Sequence, residues 1–360
     1  MLERINSPKD LKNLSIDELY RLSSEISELI KDTVKEHGGH YSSPLGVVDL
    51  TVALHYAYDS PKDKLIWDVG HQAYAHKILT GRRDLFKTIR QKDGISGFLK
   101  RDESPHDIIG AGHASTSISS SLGVAHARDI NEDDFNVVSI IGDGAMTGGL
   151  AYEGMNNLGF HRTQQTIILN DNSKSISESV GALSRYLNKI ITNPTYNKVR
   201  SDIWDITGKI PVISKTIRKF LKKSEEGIKG FLTPGILFEE LGLRYIGPID
   251  GHNIKNMIEV FKSVKEMKTP VLVHVLTKKG KGCIDAEKDP IKYYSISGVN
   301  KNIKSDSSPN YSDVFGKTLM QLSKRNYFNC ITAAMEIGTG MSTFVKKYPD
   351  RYIDVGIAEE

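Results

Sequence analysis

The sequence predicts an α/β protein: a parallel sheet with helices on both faces, followed by the start of a second α/β unit. Three observations lead there. Short apolar runs ("KLIWDVG", "NVVSIIGDG", "QTIILNDN", "PVLVHVL") each end at a glycine, an acid or an amide. Such continuous apolar runs read as strands buried on both faces. Helical patterns separate them, which is the alternation of a parallel sheet covered by helices. The residues that end the runs fall at the carboxyl ends of strands, where ligands bind in such sheets.

The elements follow in order. Ser15-Ile16-Asp17-Glu18 reads as a capping box. Leu19, Leu22, Ile26 and Leu29/Ile30 then recur at helical spacing, and Gly38-Gly39 stop the helix. A second helical pattern covers 47–58. The strand "KLIWDVG" delivers His71 to its carboxyl end. "IIGAGHASTSIS" is a glycine-rich turn leading into a helix over 117–128. "NVVSIIGDG" precedes a helix over 149–158, and "QTIILNDN" is the next strand. From 183 to 233 the pattern weakens. Eleven Lys or Arg stand there against four acids, and "KTIRKFLKKSEEGIKG" reads as a solvated, mobile basic excursion. Regularity returns with "LRYIGPIDGH", a helix over 253–267 and "PVLVHVL". We expect one domain over 1–295, a linker over 296–310 rich in Ser, Asn and Lys, and the beginning of a second domain over 311–360. In that last part a helix to about 324 precedes strands at "CITAAM" and "YIDVGIA", and these apolar strands lack their usual cover.

Composition narrows the function. The 360 residues carry a net charge of +4, which gives no reason to expect a nucleic-acid partner. Cys283 and Cys330 stand far apart and form no CxxC, so a reducing cytoplasm is expected and a zinc site is not. No apolar run reaches the roughly 18 residues of a membrane span, and the N-terminus has no signal-peptide pattern.

The chemistry concentrates in "IGDGAMTGG" (141–149) and the Asn170-Asp171-Asn172 triplet. A diphosphate needs backbone N–H donors from glycine-rich turns at helix starts. It also needs a divalent cation, and Mg²⁺ takes oxygen ligands. Asp143 offers a carboxylate and Asn172 an amide oxygen. The spacing of 29 residues from one to the other holds one helix and one strand, which places both at adjacent strand ends. Gly142, Gly144 and Gly148 give GxGxxxG, so the dinucleotide fingerprint GxGxxG is absent.

A GDG followed by an asparagine about thirty residues on resembles the thiamine diphosphate motif of transketolase-type enzymes. "LIWDVGHQAYAHKILTGRRD", "GHASTSIS", "NDNSKSIS", "LGLRYIGPIDGHN" and "PDRYIDVGIAEE" resemble 1-deoxy-D-xylulose 5-phosphate synthase over nearly the whole chain, least over 183–233. The resemblance implies a thiamine diphosphate-binding, transketolase-like fold. It also implies a transferase that decarboxylates pyruvate and condenses the remainder with D-glyceraldehyde 3-phosphate. The product feeds isoprenoid, thiamine and pyridoxal biosynthesis.

Roles carry over residue by residue. Asp143, Asn172 and the carbonyl of Lys174 are implied as Mg²⁺ ligands. Gly144, Ala145, Gly112, His113 and Ala114 are implied as cofactor contacts, as are Asn172 and Cys283. His71 is implied to lie near cofactor and substrate, and His40 in "GGHYSS" to handle protons. Glu359 is implied to meet the aminopyrimidine ring. Three positions depart from the family. Cys283 stands where an aromatic is common, Glu360 where glutamine is, and "AMEIG" lacks a basic residue found in some relatives. The family's enzymes run on for well over two hundred residues, so 1–360 is expected to be an N-terminal portion, inactive alone. The groups that grip the triose phosphate would lie beyond it, and the full-length protein is expected to be a homodimer. Two other readings stay open: the N-terminal subunit of a split transketolase, and a non-catalytic cofactor-binding remnant.

Overall fold

The computed structural model describes residues 1–172, 182–183, 185–187, 235–299 and 308–359. The basic excursion beyond Leu187, Lys174 and Glu360 lie outside the described residues.

Helix α1 (Ile16–His37) opens with the expected capping box: the Ser15 hydroxyl takes the Glu18 N–H, and the Glu18 carboxylate takes the Ser15 N–H at 2.8 Å. Its Leu19, Leu22, Ile26, Ile30 and Val34 are fully buried. The helix ends at Gly38, whose φ of +80° suits glycine. The main elements that follow are strand β1 (Gly38–His40), helix α2 (Val48–Ala57), β2 (Lys64–Trp67), α3 (Ser117–Ile130), β3 (Val137–Gly142), α4 (Gly149–His161) and β4 (Thr166–Asp171). After the excursion come β5 (Arg244–Asp250), α5 (Ile254–Lys265), β6 (Val271–Leu276) and β7 (Ser295–Ser297).

Five of these strands form one parallel sheet in the order β2-β3-β4-β6-β5. Successive side chains on a strand point to opposite faces, and here both faces are dry. Val138, Ile140, Ile168, Val271, Val273 and Val275 pack with α1, α2 and α5. Ile141, Ile167, Leu169 and Leu272 pack with Ile118 and Leu122 of α3 and Met155 and Leu158 of α4. Burial on two faces explains why these strands read as unbroken apolar runs.

One pairing departs from expectation. β7 pairs antiparallel with β1, Gly39 opposite Ile296, so the first residues of the expected linker belong to a strand. The partners are more than 250 residues apart, and each is only three residues long.

The last unit holds helix α6 (Tyr311–Leu322) and a two-stranded parallel sheet of β8 (Cys330–Thr332) and β9 (Tyr352–Asp354). Its small core centres on Leu319, Met341 and Phe344. Ile331 and Ile353 lie side by side in register and are 64% and 51% exposed. Tyr311, Val314, Phe315 and Leu322 of α6 are exposed as well. The apolar face expected to lack cover is therefore open. Among the described residues, no helix is long and apolar enough to cross a membrane.

Candidate functional site

The carboxyl ends of β2, β3, β4 and β6 meet a cavity of 390 Å³ whose lining also includes Ala333–Met335 and Ile357–Glu359. The alternation of strand side chains explains the Asn-Asp-Asn triplet. Asn170 and Asn172 line the cavity. Asp171 between them points into the core, where its carboxylate meets His274 Nε2 at 2.9 Å. Asn170 accepts a hydrogen bond from the Thr277 hydroxyl at 2.6 Å. The Asn172 Oδ1 is buried and finds no hydrogen-bond partner among the described residues.

Asp143 follows β3, tied to β4 by its N–H to the Asn170 carbonyl at 3.2 Å. Burial, with the nearby Asp171 charge adding, pushes its carboxyl up to about 6. Lys279 pulls the other way. Burial in turn lowers the Lys279 ammonium, with Asp143 opposing. This donor set suits a hard divalent cation: a desolvated carboxylate and an unsatisfied amide oxygen at neighbouring strand ends. No group of three or more His, Cys, Asp or Glu side chains among the described residues could hold a metal ion. Gly112 and Gly142 leave open the space that a side chain would fill, so their backbones can be approached closely.

On the other wall, Glu359 accepts the Ala114 N–H at 2.9 Å and faces His113 Nδ1 at 3.2 Å. The Ala114 amide thus already meets an anionic oxygen.

His71 reaches the cavity from the turn after β2, where Val69 (φ 59°) and Gly70 (φ 85°) are both left-handed. A Cβ on Gly70 would approach that of Ala111 to 2.8 Å, so glycine is required there twice over. Burial lowers the His71 imidazole to about 3, with His40 and Lys279 adding, and lowers His40 to about 4, with Arg90 adding. Both rings are therefore neutral at physiological pH. They lie 5.3 Å apart, and the Tyr294 ring stands 5.4 Å from His40 and 5.8 Å from His71. Of this group, His71 and Tyr294 line the cavity.

The structure brings Asp143, Asn172, Gly144, Ala145, Ala114, His71 and Glu359 to one cavity. Gly112 and His113 belong to the turn beside Ala114, and His40 stands behind His71. Cys283 is not among the cavity's lining residues. It precedes the short helix Ile284–Lys288 and its sulfur accepts the Tyr41 hydroxyl at 3.6 Å. The side chains that do reach in from that segment are Lys279 and Tyr294, neither of which the sequence singled out. Lys279 lies in the polar, glycine-rich stretch 277–290, a signal that could have found it; Tyr294 carries no such signal. His252 of "PIDGH" has a scaffolding part instead. Its Nδ1 meets Asp49 at 2.9 Å and its Nε2 accepts the Lys278 N–H at 2.9 Å, which fixes the loop next to Lys279.

The buried imidazoles set an acid limit on stability. Burial depresses His40, His55, His71, His76 and His106. The unfolded chain then binds protons below about pH 6.5 that the folded chain refuses. Asp68 and Asp143, raised to about 6, act in the opposite sense, but they are fewer. Stability should be full above about pH 6.5 and fall steadily toward pH 4. Chemical denaturation at pH 7.5, 6 and 5 measures this; equal unfolding midpoints would contradict it.

Comparison with known proteins identifies the family. Residues 2–277 match the family model described as 1-deoxy-D-xylulose-5-phosphate synthase. Curated synthases of that name from Caldanaerobacter subterraneus subsp. tengcongensis and Alkaliphilus oremlandii are 53% and 50% identical over 364 residues. Each match covers 100% of this chain but 58% of the relative's length. Among solved structures, a transketolase from Campylobacter jejuni superposes with a TM-score of 0.56 at 18% identity, covering 86% of this chain and 43% of that one. A Pichia stipitis transketolase gives 0.54 at 15% identity, with 91% and 46% covered. These two share the fold. On the family match and the identity across its whole length, the chain belongs to the 1-deoxy-D-xylulose-5-phosphate synthase family.

Proposed function

We propose that the cavity binds thiamine diphosphate with Mg²⁺. The chain would then be the diphosphate-binding portion of an enzyme that joins pyruvate to D-glyceraldehyde 3-phosphate with loss of CO₂, the first step of the non-mevalonate isoprenoid pathway. The observation that carries this reading is the buried, unpartnered Asn172 Oδ1 lining the same cavity as the desolvated Asp143 carboxylate. When bound, the cofactor supplies an electron sink for the carbon that loses CO₂.

The chain's residues take these parts. Asp143 and Asn172 hold Mg²⁺ through oxygen, with the carbonyl of Lys174 as the third protein ligand. The backbones of Gly112–Ala114 and Gly144–Ala145 receive the diphosphate, and Lys279 offsets its charge. His71 and His40, kept neutral by burial, accept and return protons. Glu359 hydrogen-bonds the aminopyrimidine. We assign 1–295 to the cofactor domain, 296–310 to a linker and 311–360 to the beginning of a second domain. Because the chain spans 58% of its relatives, turnover is assigned to the longer protein, a cytoplasmic homodimer.

Pyruvate-dependent release of CO₂ tests the reading. The chain supplemented with the remaining portion of a relative should release CO₂ when Mg²⁺ and thiamine diphosphate are present, and stop when Mg²⁺ is chelated. Cofactor binding without CO₂ release after supplementation would contradict the catalytic reading and favour a non-catalytic cofactor-binding remnant.

A further inference from the structure

We propose that Asp68 and Ser115 are positioning residues that lock the Gly112–Ser117 turn against the Asp143–Thr147 turn, so that both present their backbones to one diphosphate. This rests on the reading of the cavity as a diphosphate site, and it assigns two residues that the sequence did not single out.

The connection can be traced bond by bond. Asp68 follows β2 and is pinned to β3 by its N–H to the Ile140 carbonyl at 2.8 Å. Its carboxylate splits between two amides: Oδ1 takes the Ser115 N–H at 2.8 Å, and Oδ2 takes the Ser117 N–H at 2.9 Å. Ser117 is the first residue of α3, and its N-cap Thr116 makes no side-chain cap bond. The cap comes instead from a carboxylate some fifty residues earlier, which satisfies a helix-end donor and suits the positive end of the helix dipole.

Ser115 completes the bridge. Its hydroxyl donates to the Ala145 carbonyl at 2.7 Å, inside the protein. Its φ of 69° is left-handed, a conformation that strains any residue other than glycine. Glycine would remove that strain but also the hydroxyl. The hydroxyl bond joins two turns thirty residues apart in sequence, and capping the helix does not require it. Ala114, between the locked Ser115 and the exposed His113, already offers its N–H to the Glu359 carboxylate at 2.9 Å. The clamp therefore holds an amide that meets an anion. Burial raises the Asp68 carboxyl to about 6, against the pull of its bonds from Ser117 and Ser115. The placement gives up solvation for these contacts.

The test is calorimetric titration of thiamine diphosphate with Mg²⁺ into the full chain and into Asp68→Asn, Ser115→Ala and Ser115→Gly, with the melting temperature of each measured without cofactor. Asp68→Asn should weaken binding about 10-fold, in the range seen for residues that orient a ligand-binding group. Both Ser115 variants should weaken it several-fold. Ser115→Gly should melt at or above Ser115→Ala, because glycine adopts the left-handed backbone freely. Weak binding by a stable Ser115→Gly separates positioning from a merely structural role. If Ser115→Gly binds as the unaltered chain does, or if all three bind within about twofold of it, the clamp is overturned. If the unaltered chain itself binds no cofactor, the diphosphate reading fails first and the clamp fails with it.

Discussion

Asp143→Asn is expected to weaken binding of Mg²⁺-thiamine diphosphate by about 100-fold, equivalent to about 2.7 kcal/mol. The substitution keeps the shape and removes the charge that a hard cation requires. The same change should leave the cofactor-free protein as stable as before, or more so. Asp143 is 6% exposed and lies near the charge of Asp171, so its ionised form is costly without a cation. Calorimetry and melting curves without Mg²⁺ measure the two effects. A dissociation constant within threefold of the unaltered chain would remove Asp143 from the metal site.

Asp107→Ala should destabilise the fold by about 3 kcal/mol, the low end of the cost of removing one partner of a buried ion pair, because Glu103 stays 3.4 Å from Arg82. Arg82 grips both Asp107 oxygens, at 2.7 and 2.8 Å, and the two residues are 4% and 2% exposed. His76 Nε2 adds a contact at 3.3 Å, and the Lys100 N–H donates to Asp107 at 3.0 Å. His55 stands behind His76 with ring nitrogens 3.0 Å apart. Burial disfavours the Asp107 charge, but the bonds from His76 and Arg82 outweigh it and hold the carboxyl well below the usual range. Its contribution is thus present above about pH 4 and is lost as the pH falls through the lowered value. Equilibrium unfolding in urea at pH 7.5 measures the cost, and a change below about 1 kcal/mol would contradict it. The run "HKILTGRRD", one of the most characteristic in the sequence, is on this account a structural one: His76 and Arg82 anchor the loop that carries Asp107.

The parts of the fold legible in the sequence were those with local causes. The Ser15–Glu18 box starts its helix through contacts within four residues. The strands of the large sheet are apolar on both faces because helices cover both. Asp143 and Asn172 could be paired because one helix and one strand separate them, and parallel neighbours bring their carboxyl ends together. What could not be read depends on distant partners. The pairing of Gly38–His40 with Ser295–Ser297 leaves no pattern in three-residue strands. Cys283 and Lys279 lie in the same polar loop, and the path of the backbone decides that lysine enters the cavity while the sulfur meets Tyr41. Tyr294 owes its place against the two histidines to that same returning strand.

The central claim is that Asp143 and Asn172 hold a cation that anchors a diphosphate. A crystal of the chain grown with thiamine diphosphate and Mn²⁺ in place of Mg²⁺ tests it most directly, because Mn²⁺ is visible by anomalous scattering. The account predicts a peak at direct-ligand distance from an Asp143 carboxylate oxygen and from Asn172 Oδ1, with diphosphate density against Gly144 and Ala114. Cofactor density with no peak between those two side chains, or a peak elsewhere, would contradict it.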